Sequence, residues 1–260
     1  MPAHQLRLRP ACAEVLPCKI CNGKAALFGV VDMHRPCEIP GGVRPALSGV
    51  PIYYRRCAAC GFLFTDAFDD WDHDQFKAQI YNDGYHVFDP EYATARPTGN
   101  AGLVTSLWAQ HKSTMRVLDF GGGNDVFCSA LRVNGFREAI TYDPMIPEHA
   151  SKPDGKFDLV TCFETLEHLP DPVAGIADII ECLAEPGAVF YSTLTQPADF
   201  DKYGVSWWYV GPRNGHISIF SKQSLVQAWG RHGYKNASLN DGVHLAFREL
   251  PKHWGLSALQ

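Results

Sequence analysis

The stretch Arg116-Val117-Leu118-Asp119-Phe120-Gly121-Gly122-Gly123-Asn124-Asp125 limits the fold more than any other part of the chain. A short apolar run ends in a carboxylate, passes through three glycines and opens a helix pattern. Ile140-Thr141-Tyr142-Asp143-Pro144 then places a second acid twenty-four residues after Asp119. Strand, glycine turn, helix, strand and acid is the plan of a nucleotide-binding βαβ unit. Glycine lets the backbone approach a ligand, and an acid ending the second strand can accept hydrogen bonds from both ribose hydroxyls.

A glycine loop alone leaves three readings: a structural turn, a dinucleotide site and an S-adenosylmethionine site. Asp119 separates the last two. A dinucleotide rests its pyrophosphate on the helix N-terminus, where an added carboxylate repels it. S-adenosylmethionine carries an ammonium and a sulfonium and no phosphate, so nearby negative charge favours it. Asp119, Gly121, Gly123 and Asn124 are expected on the methionine side, and Asp143 with Pro144 at the ribose.

The flanking elements follow from periodicity. A helix is expected over about 100–111, with Leu103, Val104, Leu107 and Trp108 on one face. Strands are expected at 116–120, 137–142, 157–162 and 188–193. Helices are expected near 125–133, ending at Asn134-Gly135, behind Asp171-Pro172, and over 221–229. Segments 234–239 and 243–249 read as a closing antiparallel hairpin. Only fourteen residues lie between Asp143 and Asp158, so the usual crossover and edge strand are shortened or absent.

Ahead of this pattern stand two cysteine pairs, Cys18-Lys-Ile-Cys21 and Cys57-Ala-Ala-Cys60. Two pairs at this spacing match tetrahedral zinc held by four thiolates, with no position left for catalysis. Reduced thiols without metal are the alternative, and His34 and Cys37 are runner-up ligands. Cys128, Cys162 and Cys182 fall in apolar stretches and read as small buried residues. The expected organisation is a zinc-binding module over residues 1–66, a linker on the acceptor side over 67–97 and a cofactor-binding domain over 98–260. Residues 1–16 read as a poorly ordered lead, and 35–45 as a Pro/Gly-rich loop.

Formal net charge is −5, so no basic footprint argues for nucleic acid. No run approaches the roughly 20 apolar residues of a membrane span. The arginines of the first ten residues flank no apolar core, so the chain is expected in the cytoplasm.

Val117-Leu-Asp-Phe-Gly-Gly-Gly, Tyr142-Asp-Pro144, Phe157-Asp-Leu-Val-Thr-Cys-Phe-Glu-Thr-Leu-Glu-His168-Leu-Pro-Asp-Pro172 and Gly187-Ala-Val-Phe-Tyr-Ser-Thr193 resemble the ordered motifs of class I S-adenosylmethionine-dependent methyltransferases. The resemblance spans about residues 98–250. It implies an α/β fold: a Rossmann-like sheet with helices on both faces, plus the small N-terminal zinc-ribbon-like module. Phe163 and Glu164 are then expected over the cofactor. The cysteine pairs and His216-Ile-Ser-Ile-Phe-Ser221 further resemble bacterial zinc-ribbon methyltransferases of nucleotide-linked sugars. Gly215 stands where those enzymes carry a Glu-His pair.

On this reading His216 and His168 are the candidate bases, His216 preferred because the aromatic run Trp207-Trp208-Tyr209 precedes it. That run suits a lid or a stacking wall, and Tyr81 and Tyr85 resemble acceptor-side tyrosines. The expected acceptor is a sugar, glycan or sugar-containing metabolite, methylated on oxygen or carbon. A quinone, polyketide or other aromatic small molecule is the enzyme alternative. A zinc-module binding protein on a degenerate methyltransferase scaffold is the non-enzyme alternative.

Overall fold

The computed structural model describes residues 15–37 and 42–255. The expected lead over residues 1–16 falls almost wholly outside the described residues, as does part of the 35–45 loop.

The N-terminal part is a sheet of β1 (Leu16–Pro17), β2 (Lys24–Asp32), β3 (Pro51–Cys57) and β4 (Leu63–Phe64). Two helices follow, α1 (His73–Gln79) and α2 (Ala95–Leu107). The alternating part runs β5 (Arg116–Phe120), α3 (Val126–Val133), β6 (Glu138–Tyr142), β7 (Phe157–Phe163), α4 (Pro172–Glu181) and β8 (Leu183–Ser192). The chain finishes with α5 (Phe200–Tyr203), β9 (Ser218–Ile219), α6 (Lys222–Gly230), β10 (Lys235–Ser238) and β11 (Val243–Phe247).

The larger sheet has the order β10-β11-β8-β7-β5-β6. Its β6, β5, β7 and β8 are parallel, and β11 and β10 return antiparallel. Neighbouring strand residues point to opposite faces, so the pair Val117 and Leu118 marks two cores. Val117, Leu159 and Phe190 pack with Val104, Phe127 and Leu131 of α2 and α3. Leu118, Val160 and Val189 pack with Ile176, Ile179, Leu225 and Trp229 of α4 and α6. Helices therefore cover both faces, in a Rossmann-like arrangement. After Asp143 only a 3-10 turn at Pro147–His149 precedes β7, which leaves β6 at the edge of the sheet.

Local signals set the helix ends. Asp171 caps α4, its carboxylate accepting from Val173 N at 3.1 Å and Ala174 N at 3.0 Å, with Pro172 at the first helical position. Such a cap contributes about 1 kcal/mol. Gly135 ends α3 at φ +93°, a left-handed position that glycine reaches without strain.

Helix α2 departs from expectation. It begins at Ala95 rather than near 100, and Leu103 and Leu107 face outward. The buried stripe is Ala101, Val104 and Trp108, at i, i+3 and i+7, so the periodicity held with a different face inward.

The cysteine-bearing sheet is not closed by its own neighbourhood. Its order is β1-β2-β3-β4-β9, so a strand from residues 218–219 completes it, pairing Leu63 with Ile219 and Phe64 with Ser218. Cys18, Ile20, Cys57, Cys60 and Phe62 belong to the same core as α4 and α6. Among the described residues no helix is long and apolar enough to cross a membrane.

Candidate functional site

A cavity of about 370 Å³ opens at the C-terminal ends of β5, β6 and β7, a volume within the range of small-molecule sites. One wall is the loop after β5. Gly121 and Gly123 take φ of +73° and +59°, and a Cβ on Gly123 would meet nothing within 4 Å. Gly122 has the opposite constraint, because a Cβ there would lie 2.3 Å from Asp119 Oδ2. Absence of side chains thus lets the loop rest on the Asp119 carboxylate while its outer surface stays open.

Asp119 is buried at 4% exposure, and Thr161 Oγ1 donates to its Oδ1 at 2.7 Å. Burial pushes it up to about 7. Asp143 accepts from Gly123 N at 2.9 Å through Oδ2 and from Met145 N at 2.8 Å through Oδ1. It therefore ties the glycine loop to the end of β6. Each oxygen keeps one acceptor site for a further donor. Asn124 and Pro144 also line the cavity, and Asn124 Nδ2 donates to Ala93 O at 2.8 Å.

The opposite wall combines the end of β7 with residues 73–100. Phe163 ends β7, Glu164 follows it directly, and both line the cavity. Glu164 adopts φ +48°, and Ser192 Oγ donates to its Oε1 at 2.6 Å. Burial raises Glu164 to about 7. Tyr81 and Tyr85 face the cavity with ring centroids 5.1 Å apart. Arg96 enters from α2, held by Asp89 through two hydrogen bonds of 2.7 and 2.9 Å.

His168 lines the cavity beside Tyr81, the two rings 5.8 Å apart. Its Nδ1 lies 3.0 Å from Gly215 O, so Nδ1 carries the proton and Nε2 keeps a free lone pair. Burial holds its pKa below the usual histidine value.

His216 sits behind His168, centroids 5.0 Å apart, and does not line the cavity. Its Nδ1 donates to Tyr209 O at 2.9 Å and lies 3.3 Å from Cys37 Sγ. The preference for His216 as the cavity base is thereby corrected, because it is buried behind the half-buried His168 imidazole that lines the cavity. The aromatic run is corrected likewise. Trp207 and Tyr209 are core residues, Trp208 projects outward at 41% exposure, and none of the three lines the cavity. Tyr209 instead donates to Glu167 Oε1 at 2.6 Å, and Glu167 Oε2 is buried with no hydrogen-bond partner among the described residues. Donor atoms of Glu167, His168 and His216 converge within 4.8 Å of one another. The aromatic loop therefore supports the histidine turn from behind. Sequence reasoning missed Arg96 and Glu167, although Glu167 lies in the quoted motif.

The four paired cysteines also converge. The sulfurs of Cys18, Cys21, Cys57 and Cys60 lie within 4.8 Å of one another, with Cys18–Cys60 at 3.7 Å and Cys21–Cys57 at 3.4 Å. A zinc tetrahedron with Zn–S of about 2.3 Å has edges of roughly 3.8 Å, so the set fits that ion. Cys60 beside it draws Cys18 down to about 5. His34 and Cys37 lie elsewhere: His34 Nδ1 is 3.1 Å from Ala46 O, and Cys37 is packed under His216.

This knuckle touches the cavity wall. Lys19, between Cys18 and Cys21, donates to Pro170 O at 2.9 Å and Thr65 O at 3.0 Å and pairs with Asp69. Ile217 N donates to Glu167 O at 2.9 Å, and Ser218 Oγ to Leu169 O at 2.7 Å. The turn that carries His168 is thus gripped by β9 and by the cysteine knuckle.

The chain belongs to the Methyltransferase domain family, which it matches over residues 92–239. It is an S-adenosylmethionine-dependent methyltransferase. It is 33% identical over 165 residues to the ubiquinone biosynthesis O-methyltransferase of Stutzerimonas stutzeri, covering 60% of this chain and 69% of that one. The protein of the same description from Pseudomonas aeruginosa is 27% identical over 164 residues, covering 60% and 68%. Among solved structures it is similar to the mitomycin 7-O-methyltransferase, at 13% identity and a TM-score of 0.49, over 69% of this chain and 61% of that one. Magnesium protoporphyrin IX methyltransferase from Synechocystis, with bound S-adenosylhomocysteine, aligns at 15% identity and a TM-score of 0.44, covering 70% and 96%.

Proposed function

We propose that the protein methylates a hydroxyl of an aromatic small molecule, and that His168 is the base. The observation that carries this reading is a cavity shared by the glycine loop on one side and Tyr81, Tyr85 and His168 on the other. The relatives named for ubiquinone biosynthesis favour an aromatic acceptor over the sugar expected from the cysteine pairs. Residues 1–66 then form a zinc module, 67–97 the acceptor-side segment and 98–260 the cofactor-binding domain.

In this reading Asp143 accepts from the ribose hydroxyls, using the lone pairs that its backbone donors leave open. Gly121 and Gly123 admit the methionine half, with Asp119 and Glu164 supplying negative charge toward its cationic groups. When bound, S-adenosylmethionine supplies an electrophilic methyl group on a sulfonium. His168 Nε2 takes the acceptor's hydroxyl proton as the oxygen–carbon bond forms and the carbon–sulfur bond breaks. Holding both reactants in line is the larger contribution, and base assistance adds about 10²–10⁴-fold. Zinc held by Cys18, Cys21, Cys57 and Cys60 is structural, since the four thiolates fill its coordination.

A paired screen tests the proposal. Catechols, quinols and nucleotide sugars are incubated with radiolabelled cofactor, and methyl incorporation is counted. Transfer to an aromatic hydroxyl is expected; transfer to sugars alone would overturn the acceptor assignment.

A further inference from the structure

We infer that Lys77 binds an anionic group, a carboxylate or phosphate ester, on the acceptor in the cavity where the reacting hydroxyl meets His168. This inference rests on the methyltransferase reading of the same cavity and adds the acceptor's charge.

The first observation is the face that α1 presents. His73, Phe76 and Lys77 all line the cavity, at i, i+3 and i+4, with Tyr81 following. The short helix is fixed at both ends. Asp72 and Gln75 form a reciprocal cap of 2.8 and 3.0 Å, and Arg213 Nη1 donates to Ile80 O at 3.0 Å. Phe76 is wedged against Trp71 with centroids 5.3 Å apart. Lys77 therefore projects from a held element.

The second observation is an accounting of charge around the cavity. Asp89 and Arg96 neutralise each other. Asp119 is bonded to Thr161, Asp143 to two backbone amides and Glu164 to Ser192. Among the described residues, Lys77 is the lining cation with no hydrogen bond and no carboxylate partner. Asp74, one turn back on α1, makes no ion pair with it. Lys77 is half-buried at the cavity wall. A ligand anion would give its ammonium a charged hydrogen-bond partner.

The third observation is shared lining. Lys77, Tyr81 and His168 line one cavity, with the Tyr81 and His168 rings 5.8 Å apart. An acceptor whose hydroxyl meets His168 Nε2 therefore occupies the cavity that Lys77 lines.

The test uses binding to the full-length protein saturated with S-adenosylhomocysteine, followed by NMR. The probes are 3,4-dihydroxybenzoate against its methyl ester, and 4-hydroxyphenyl phosphate against hydroquinone. We expect one anion to bind roughly 5- to 20-fold tighter than its neutral mate, the scale of a partly desolvated charged hydrogen bond. The pair showing the larger ratio identifies carboxylate or phosphate. Lys77→Met should bring that ratio to about one, and Lys77→Glu should invert it, while cofactor affinity stays unchanged. Methionine keeps the helix, so folding survives. A lysine that only complements the α1 C-terminus would alter melting and leave the ratio intact. An unchanged ratio in Lys77→Met, or no preference for either anion in the unaltered protein, overturns the inference. Failure to bind S-adenosylmethionine at all would instead sink the functional reading.

Discussion

The two walls of the cavity are built differently. The glycine-loop wall is assembled from about thirty consecutive residues, 117–146, and several of its polar groups pair within that stretch: Asp143 with Gly123 N and Met145 N, Thr141 Oγ1 with Asp125. The histidine wall is gathered from residues 73–100, 163–170 and 215, then locked by Lys19 and β9. A local wall can be altered one contact at a time. A wall held by distant segments shares the fate of whatever anchors those segments.

The largest separation of the two walls should come from the metal site. Cys57→Ser is expected to release zinc and melt the N-terminal sheet, because structural zinc contributes about 10 kcal/mol or more to the folding of such sites. Turnover should collapse while the glycine-loop wall still binds cofactor within a few-fold, as metal analysis and calorimetry on one preparation would reveal. Equal loss of both functions would mean that the walls are not separable.

Next in size is the histidine wall alone. His168→Ala should lower turnover by about 10²–10⁴-fold with cofactor affinity intact, and His216→Ala should act mainly through stability. Burial depresses the His168 pKa, so the neutral base persists across neutral pH. Activity is expected to fall only on the acid side, below the ordinary histidine range near 6.5. Stability follows the same sign: the unfolded chain binds the proton first as pH drops, so this contribution is present above about 6.5 and lost below it. A pH–rate profile with no acid limb would return His168 to a structural role.

Asp143→Ala addresses the other wall. It should weaken S-adenosylmethionine binding by about 1.5–3 kcal/mol, the range for hydrogen bonds to a charged group. The neutral-anion selectivity of the acceptor should not move. Unchanged cofactor affinity by titration would remove the ribose role.

The smallest expected signal is proton release. Burial holds Asp119 and Glu164 near 7, so each is partly protonated in the free protein at neutral pH. A cationic cofactor favours their charged forms and drives protons off. Calorimetry in two buffers of different ionisation enthalpy should show up to about one proton released near pH 7. No buffer dependence would place the cofactor's positive charge away from both carboxylates.

The difference between the walls also explains what the sequence made legible. Val117 to Asp125 and the acid at Asp143 carry their meaning locally, through alternation, glycine geometry and strand-end chemistry. The short gap after Asp143 foretold the exposed edge at β6 for the same reason. The cysteine pairs were readable because ligand spacing is a chemical constraint. The histidine wall was not readable in this way. Nothing in Trp207-Trp208-Tyr209 states that Trp207 and Tyr209 turn inward while Trp208 stays outside, since an aromatic run suits a core as well as a lid. Nor does Ser218-Ile219 announce a strand, because two residues have no periodicity. The nine-residue β2 was missed because Gly29 interrupts it at an irregular register, where a Cβ would strike Val205 at 2.6 Å.

The place of β9 in the cysteine-bearing sheet has a consequence for synthesis. All four paired cysteines have been synthesised by residue 60, so on the proposed zinc reading the metal can be captured soon after. The strand that closes their sheet is encoded at residues 218–219, later by more than 150 codons. At about 5–20 residues per second, this leaves roughly ten to thirty seconds in which β4 offers an open edge to any passing chain. On the proposed zinc reading, the ion would hold the nascent knuckle in shape during that interval. Expression in zinc-poor medium should therefore cost soluble yield even when zinc is restored after lysis.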